Sequence, residues 1–294
     1  MELPRPLVSA DWLVSQLEAP DLVVLDASWY PPTEGRDPRA EHRSARIPGA
    51  RFFDIEEISD RESDLPHMAP LPSAFEAALA TLGIGEGTRV VVYDGHGLLS
   101  APRAWWMFRA FGKEEVTVLD GGLPVWREAG RPMESGSVAT PVPPRVRFEA
   151  RPDPTWLADR DQVRAALASG KVQVVDARAA ARFRGEAPEP RPGLRSGHLP
   201  GSRNLPWLTL LDEDRCLRDE AQLQAAFEDA GVRPDAPVIT TCGSGVTAAI
   251  LSLALDRLGR RSAVYDGSWA DWGRPSELPV AAGDGSSDDE LFPS

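Results

Sequence analysis

The chain has 294 residues, a formal net charge of −13 and a hydrophobic fraction of 42%. This length suggests about two domains with ordinary packed cores. The acidic balance argues against a general nucleic-acid binder, which would carry a basic face, and against a protein that binds anionic membranes.

The N-terminal segment and the small number of cysteines are typical of a cytoplasmic protein. The segment Met1-Glu2-Leu3-Pro4-Arg5 lacks the basic and then apolar layout of a signal peptide, and no apolar run approaches the ~18 residues that a membrane span needs. Two cysteines are too few for a disulfide framework, and no Cys-x-x-Cys pair indicates a metal site. We therefore expect a soluble, metal-free protein in the reducing cytoplasm, with no nucleic-acid or membrane partner.

Short apolar runs alternate with helical patterns along both halves of the chain. The runs are rich in valine and isoleucine and lack clean alternation, which is typical of strands covered on both faces. The predicted helices are 73–82, 103–111, 161–168 and 221–230. This alternation predicts an α/β fold in which each half forms a mostly parallel sheet flanked by helices.

The chain repeats itself with a period of roughly 150 residues, which indicates a duplicated domain rather than a solenoid of short units. The repeated segments are 22–27 with 172–177, 47–50 with 199–202, and 89–94 with 237–242. Cys242 in the second half thus corresponds to Asp94 in the first. Because a carboxylate cannot act as a sulfur nucleophile, we expect only the second domain to be catalytic.

Composition sets the predicted domain boundaries. We expect a non-catalytic N-terminal domain over 1–135 and a catalytic C-terminal domain over 156–280. The region 136–155 is dense in proline and small residues and is predicted to be the linker. The tail 281–294 is acidic and almost without apolar residues, so it is predicted to be disordered.

Cys242 is the candidate nucleophile. It follows the apolar run 238–241 and precedes the loop Gly-Ser-Gly-Val-Thr and a helical pattern over 248–255. A thiol between a strand and a helix start faces backbone N–H groups and the positive end of the helix dipole, which stabilise a thiolate. Ligands of open α/β sheets also bind at the carboxyl ends of strands. Cys216 lies in a polar segment that is typical of a passive surface position.

The sequence resembles the two-domain rhodanese-type sulfurtransferases from about Leu7 to Val280. The loop 242–248 (CGSGVTA) looks like that of the 3-mercaptopyruvate sulfurtransferases, and 182–191 (RFRGEAPEPR) is similar to their substrate-binding segment. Two further matches are 196–201 (SGHLPG) and 265–269 (YDGSW).

The resemblance implies a mechanism and a set of site residues. The Cys242 thiolate would take the sulfur of 3-mercaptopyruvate as a persulfide, release pyruvate, and pass the sulfur to cyanide or to a thiol such as thioredoxin. No metal or organic cofactor is implied. The implied residues are the catalytic Cys242, Ser244 and Asp37 and the substrate-binding Arg182, Arg191, Gly243, Gly245, Val246 and Thr247.

Two details leave the roles of loop and relay residues open. Ser244 and Thr247 could instead cap the helix that follows the loop. The family usually has a histidine before the first Ile-Pro-Gly, where this chain has Arg46. A Ser–His–Asp proton relay through that position therefore cannot operate unchanged.

Three other functions compete with this interpretation. Thiosulfate sulfurtransferases resemble this chain but usually place basic residues just after the cysteine, where Gly243 and Ser244 are neutral. Cysteine phosphatases need Cys-x5-Arg, and Ala248 stands at the arginine position. A persulfide carrier that docks to a partner protein is a non-enzymatic alternative that the sequence leaves open.

Overall fold

The computed structural model describes residues 3–4, 6–137 and 141–284. The described residues form two compact units. The first comprises Met1–Arg61, Ala69–Asp153 and Asp212–Leu217, and the second comprises Glu62–Met68, Pro154–Leu211 and Arg218–Ser294.

These units differ from the predicted domains in two short segments. Residues 62–68 belong to the second unit and residues 212–217 to the first. The main division lies between Asp153 and Pro154, at the end of the predicted linker. Part of that linker, 138–140, and most of the predicted disordered tail, 285–294, lie outside the described residues.

The first unit contains a five-stranded sheet in which every strand pair is parallel. The strands are β1 (Leu7–Val8), β2 (Leu22–Asp26), β3 (Arg51–Phe52), β4 (Arg89–Tyr93) and β5 (Val116–Leu119). Their order in the sheet is β1-β5-β4-β2-β3, and β4 is buried at every position, as expected for a strand covered on both faces.

Side-chain caps define where several helices of the first unit begin. The helices are α1 (Ala10–Gln16), α2 (Pro38–Ser44), α3 (Ile55–Ile58), α4 (Pro72–Thr81), α5 (Ala101–Ala110) and α6 (Gly122–Glu128). The side chains of Ser9, Asp37 and Asp54 accept hydrogen bonds from backbone N–H groups in the first turns of α1, α2 and α3.

The second unit repeats the same topology. The strands are β6 (Leu157–Ala158), β7 (Gln173–Asp176), β8 (Arg203–Asn204), β9 (Val238–Thr241) and β10 (Ser262–Tyr265). Their order in the sheet is β6-β10-β9-β7-β8, again with parallel pairs only, which confirms the predicted duplication and the α/β fold. The central strands β7 and β9 are buried throughout.

Capping boxes start two helices of the second unit. Asp159 with Gln162, and Asp219 with Gln222, each exchange side-chain and backbone hydrogen bonds at the first turn. The helices are α7 (Arg160–Ser169), α8 (Ala180–Phe183), α9 (Glu220–Asp229), α10 (Ala248–Arg257) and α11 (Ser268–Trp272).

The described ranges contain neither a helix that could span a membrane nor an acidic, histidine or cysteine cluster that could hold a metal ion. None of the helices there combines the length and apolar character needed to cross a membrane. In the same ranges, no group of three or more histidine, cysteine, aspartate or glutamate side chains could hold a metal ion.

Candidate active site

Cys242 lies directly after β9, in the loop that leads into α10. Its side chain is buried, with the residue only 2% exposed. The Cys242 carbonyl accepts a hydrogen bond from Trp269 N (3.0 Å), and the Gly243 carbonyl accepts one from Ala270 N (2.9 Å). The first turn of α11 therefore fixes the backbone on which the candidate nucleophile stands.

Ser268 fixes the curvature of the same loop. Its hydroxyl accepts hydrogen bonds from Cys242 N and Gly245 N, both at 3.1 Å, and donates one to the Tyr265 carbonyl at 2.8 Å. Ser268 is fully buried. Gly245 has a φ of 79°, a left-handed conformation that glycine adopts without steric cost. One hydroxyl thus holds both ends of the Cys242-to-Gly245 turn.

The matching loop of the first unit shows what such a turn can stabilise. Asp94 follows β4 at the position equivalent to Cys242 and is buried. Its Oδ2 accepts N–H groups of Leu99 (2.9 Å), Ser100 (2.8 Å) and Ala101 (2.8 Å), and its Oδ1 accepts His96 N (2.8 Å). Four backbone N–H groups of this loop therefore converge on the side chain of the residue that follows the strand.

The Cys242 loop (residues 242–247) also has backbone donors that are not engaged. Within the part of the chain that the structure describes, the N–H groups of Gly243, Ser244, Val246 and Thr247 make no hydrogen bond. They are available to an anion, such as a thiolate or persulfide on Cys242. Thr247 is the N-cap of α10 but makes no side-chain capping bond.

Ser244 is paired with a histidine that the sequence pattern did not indicate. The Ser244 Oγ lies 3.1 Å from Nδ1 of His67, and both side chains are buried. His67 has a φ of 60°, so its backbone is held in the sparsely populated left-handed region. Arg274 binds the preceding part of the same segment, with Nη1 2.6 Å from the Asp64 carboxylate and Nη2 2.8 Å from its carbonyl.

Arg46 and Asp37 have local partners in the first unit. The Arg46 guanidinium is fully buried, pairs with the Glu134 carboxylate and donates to the Gly136 carbonyl at 2.9 Å. The Asp37 carboxylate accepts Ala40 N at 2.9 Å and caps α2. The role of Asp37 in proton transfer stays a prediction.

Arg182 on α8 lies against the Cys242 loop. A Cβ atom on Gly243 would be 3.1 Å from Arg182 Nη2, so the glycine makes room for the guanidinium. Arg182 Nη2 and Nε donate to the Glu189 carboxylate at 2.5 and 3.3 Å. Nη1 has no hydrogen bond among the described residues, and the side chain is 26% exposed. The guanidinium thus keeps a free edge beside the loop.

The remaining predicted residues have less distinctive surroundings. Val246 is buried in the loop, and Arg191 is half-buried in the segment that begins at Arg182. Cys216 belongs to the first unit and is half-buried. Burial, followed by the nearby aspartates, raises the pKa of Cys216 to about 12, so its thiol stays protonated at neutral pH.

The fold and the site together define the class of protein. The sequence matches the family model of the Rhodanese-like domain twice, at residues 9–129 and 159–274. The chain therefore belongs to the two-domain rhodanese-type sulfurtransferases, as its sequence resemblance predicted.

Individual relatives are similar over nearly the whole chain. A 3-mercaptopyruvate sulfurtransferase of Escherichia coli K12 is 44% identical and covers 93% of this chain and 96% of its own. The thiosulfate/3-mercaptopyruvate sulfurtransferase 1, mitochondrial, of Arabidopsis thaliana is 43% identical, and the match covers 96% of this chain and 80% of that protein. The crystal structure of SseA, a 3-mercaptopyruvate sulfotransferase of E. coli, superposes with a TM-score of 0.81, at 42% identity and coverage of 90% and 98%.

Proposed function

We propose that this protein is a 3-mercaptopyruvate sulfurtransferase with Cys242 as nucleophile. The observation that carries the proposal is the Arg182 guanidinium, which lies against Gly243, the residue that follows Cys242. 3-Mercaptopyruvate is a monoanion whose carboxylate and keto oxygens lie in reach of one planar guanidinium fork. Arg191, in the same segment, is the second substrate-binding arginine of the proposal.

The first half-reaction forms a covalent intermediate. The Cys242 thiolate attacks the substrate sulfur, an S–S bond forms, and the C–S bond breaks. The bonding electron pair stays on carbon as the enolate of pyruvate, which takes up one proton. Splitting the transfer in this way replaces one difficult step by two easier ones.

The second half-reaction returns the thiolate. Cyanide attacks the outer sulfur of the Cys242 persulfide, the S–S bond breaks, and thiocyanate leaves. A thiolate acceptor reacts in the same way and leaves as its own persulfide. The free N–H groups of the loop stabilise the sulfur anion in both states. The four N–H groups on the Asp94 carboxylate support this role.

Ser244 and His67 are the proposed proton-transfer pair. Protonation of the enolate needs a donor beside the departing carbon, and a hydroxyl bound to an imidazole can relay a proton. Their 3.1 Å separation supports this role. The relay proposed here therefore uses His67 and not a residue at position 46.

The test is a comparison of kcat/KM for 3-mercaptopyruvate and thiosulfate, with cyanide as common acceptor. We expect the keto acid to be strongly preferred. Arg191→Ala should lower kcat/KM for it by roughly 10- to 100-fold, the equivalent of about 1.5–3 kcal/mol for one charge-assisted hydrogen bond. Arg184→Ala is the matched control, because Arg184 pairs with Glu186 at the surface.

Thiosulfate sulfurtransferase is the second candidate. The Arabidopsis relative carries both substrates in its name, which favours some thiosulfate turnover here. The neutral Gly243 and Ser244 argue for a minor activity. A higher kcat/KM for thiosulfate would refute the proposed preference, and transfer confined to a single protein acceptor would favour a carrier. A thioredoxin-like acceptor and the cytoplasmic location stay predictions.

A further inference from the structure

We infer that Glu189 sets the charge preference of the site, so that monoanionic sulfur donors are favoured over dianionic ones. The inference rests on the proposed function, since it assigns the substrate class to the Arg182 subsite. It concerns a residue that neither touches the sulfur nor belongs to the loop.

Glu189 lies between two arginines. Its Oε1 accepts Arg178 Nη1 at 2.8 Å, and its Oε2 accepts Arg182 Nη2 at 2.5 Å. The Glu189 side chain is 2% exposed, whereas that of Arg182 is 26% exposed. The carboxylate is therefore buried, whereas the guanidinium with which it pairs is partly open and lies against Gly243.

A buried ion pair holds Glu189 from the other side. Arg178 is completely buried and binds the Asp176 carboxylate through Nη2 at 2.7 Å. Its Nη2 also donates to the Gly197 carbonyl at 2.9 Å, and its guanidinium stacks over the Trp269 ring at 4.3 Å. With these contacts Arg178 cannot turn to meet a substrate, so it serves to anchor Glu189.

The sequence also restricts the backbone at this position. Glu189 stands between Pro188 and Pro190. Proline fixes its own φ and confines the residue before it to extended conformations. The backbone at Glu189 is therefore restricted, and the hydrogen bonds to Arg178 and Arg182 hold its side chain.

The charges of this network cancel. Asp176 and Glu189 are matched by Arg178 and Arg182. At Arg182, a substrate anion therefore meets a cation that is backed by the Glu189 carboxylate, and each charge on the substrate is repelled by Glu189. At roughly 7 Å and an effective dielectric near 40, removing that repulsion changes the preference between a dianion and a monoanion by about tenfold.

Two variants separate charge from position. Glu189→Gln keeps the length of the side chain but removes its charge. We expect the ratio of kcat/KM for thiosulfate to that for 3-mercaptopyruvate to rise by about tenfold. Glu189→Asp keeps the charge but shortens the reach to Arg182. It should lower kcat/KM for both substrates by a similar factor and leave the ratio within about twofold.

Glu186→Gln is the matched control. It removes a carboxylate from the same segment, but one that is 57% exposed and paired with Arg184 at the surface. It should leave both kcat/KM values and their ratio unchanged. A ratio that stays constant in Glu189→Gln, or that rises equally in Glu186→Gln, would overturn the inference.

A measurement on the unmodified enzyme covers the case in which Glu189→Gln does not fold. Methanesulfonate and sulfate have similar shapes but carry one and two charges. We expect methanesulfonate to be the stronger competitive inhibitor against 3-mercaptopyruvate, and stronger inhibition by sulfate would overturn the inference. The wild-type ranking of the two sulfur donors tests the proposed function, whereas the change of ratio tests Glu189.

Discussion

Removing the Ser268 hydroxyl should loosen the catalytic loop. In Ser268→Ala, the N–H groups of Cys242 and Gly245 lose their shared acceptor, and the Tyr265 carbonyl loses one donor. A buried donor without a partner costs about 1–3 kcal/mol. Because the Cys242 N–H group is buried with the loop, we expect a loss of about 1–3 kcal/mol in the free energy of unfolding.

A second substitution separates the hydroxyl from the backbone conformation. Ser268 has a φ of 49°, which favours glycine. Ser268→Gly removes the same hydroxyl but relieves this strain, so it should cost about 1 kcal/mol less than Ser268→Ala. Both variants should form the Cys242 persulfide more slowly, since both release the loop.

The assay is urea denaturation combined with the rate of persulfide formation. Ser202→Ala is the control, because Ser202 is equally buried and its hydroxyl donates to the Leu199 carbonyl at 2.6 Å. That carbonyl also accepts Ser202 N, so it stays paired and the loss should be about 1 kcal/mol or less. Equal losses in Ser268→Ala and Ser202→Ala would refute the assigned role.

Three further predictions concern other residues. His67→Ala and Ser244→Ala should each lower kcat/KM by roughly 10- to 100-fold. Because the two residues act together, the double variant should lose little more activity than either single variant. Additive losses of activity would contradict the relay. Cys216→Ser should leave turnover unchanged, and mapping of iodoacetamide adducts at pH 7.5 should find Cys216 unmodified, because its pKa is raised to about 12. The N–H group of Gly49 and then the Arg46 guanidinium lower the pKa of Glu134. The charged Glu134 carboxylate therefore stabilises the fold at pH values above the usual carboxyl pKa, and this stabilisation is lost on acidification. Glu134→Gln should therefore destabilise the protein more at pH 7 than at pH 3, and an equal loss at both pH values in urea denaturation would contradict this.

Local sequence signals predicted the regular elements closely. The helices predicted over 161–168 and 221–230 are present as α7 and α9, which begin one residue earlier, directly after their aspartate caps. The helix predicted over 103–111 begins at Ala101, because proline is tolerated in a first turn. The four-residue helices α3 and α8 are too short for a helical period to be recognised.

The site was predictable where it is continuous in sequence. The loop after β9 follows from a strand, a glycine turn and a helix in succession. His67 and Ser244 are 177 residues apart, so only tertiary folding brings them together. The ion pair between the buried Arg46 and the partly exposed Glu134, 88 residues apart, has no local signal either.

Mass spectrometry after mixing the protein with 3-mercaptopyruvate, without any acceptor, tests whether Cys242 carries the transferred sulfur. We expect a gain of about 32 Da, one sulfur atom, that maps to Cys242 and disappears when cyanide is added. A Cys242→Ser variant should show neither the gain nor turnover. Sustained turnover by that variant, or a sulfur adduct on Cys216 in its place, would contradict the account.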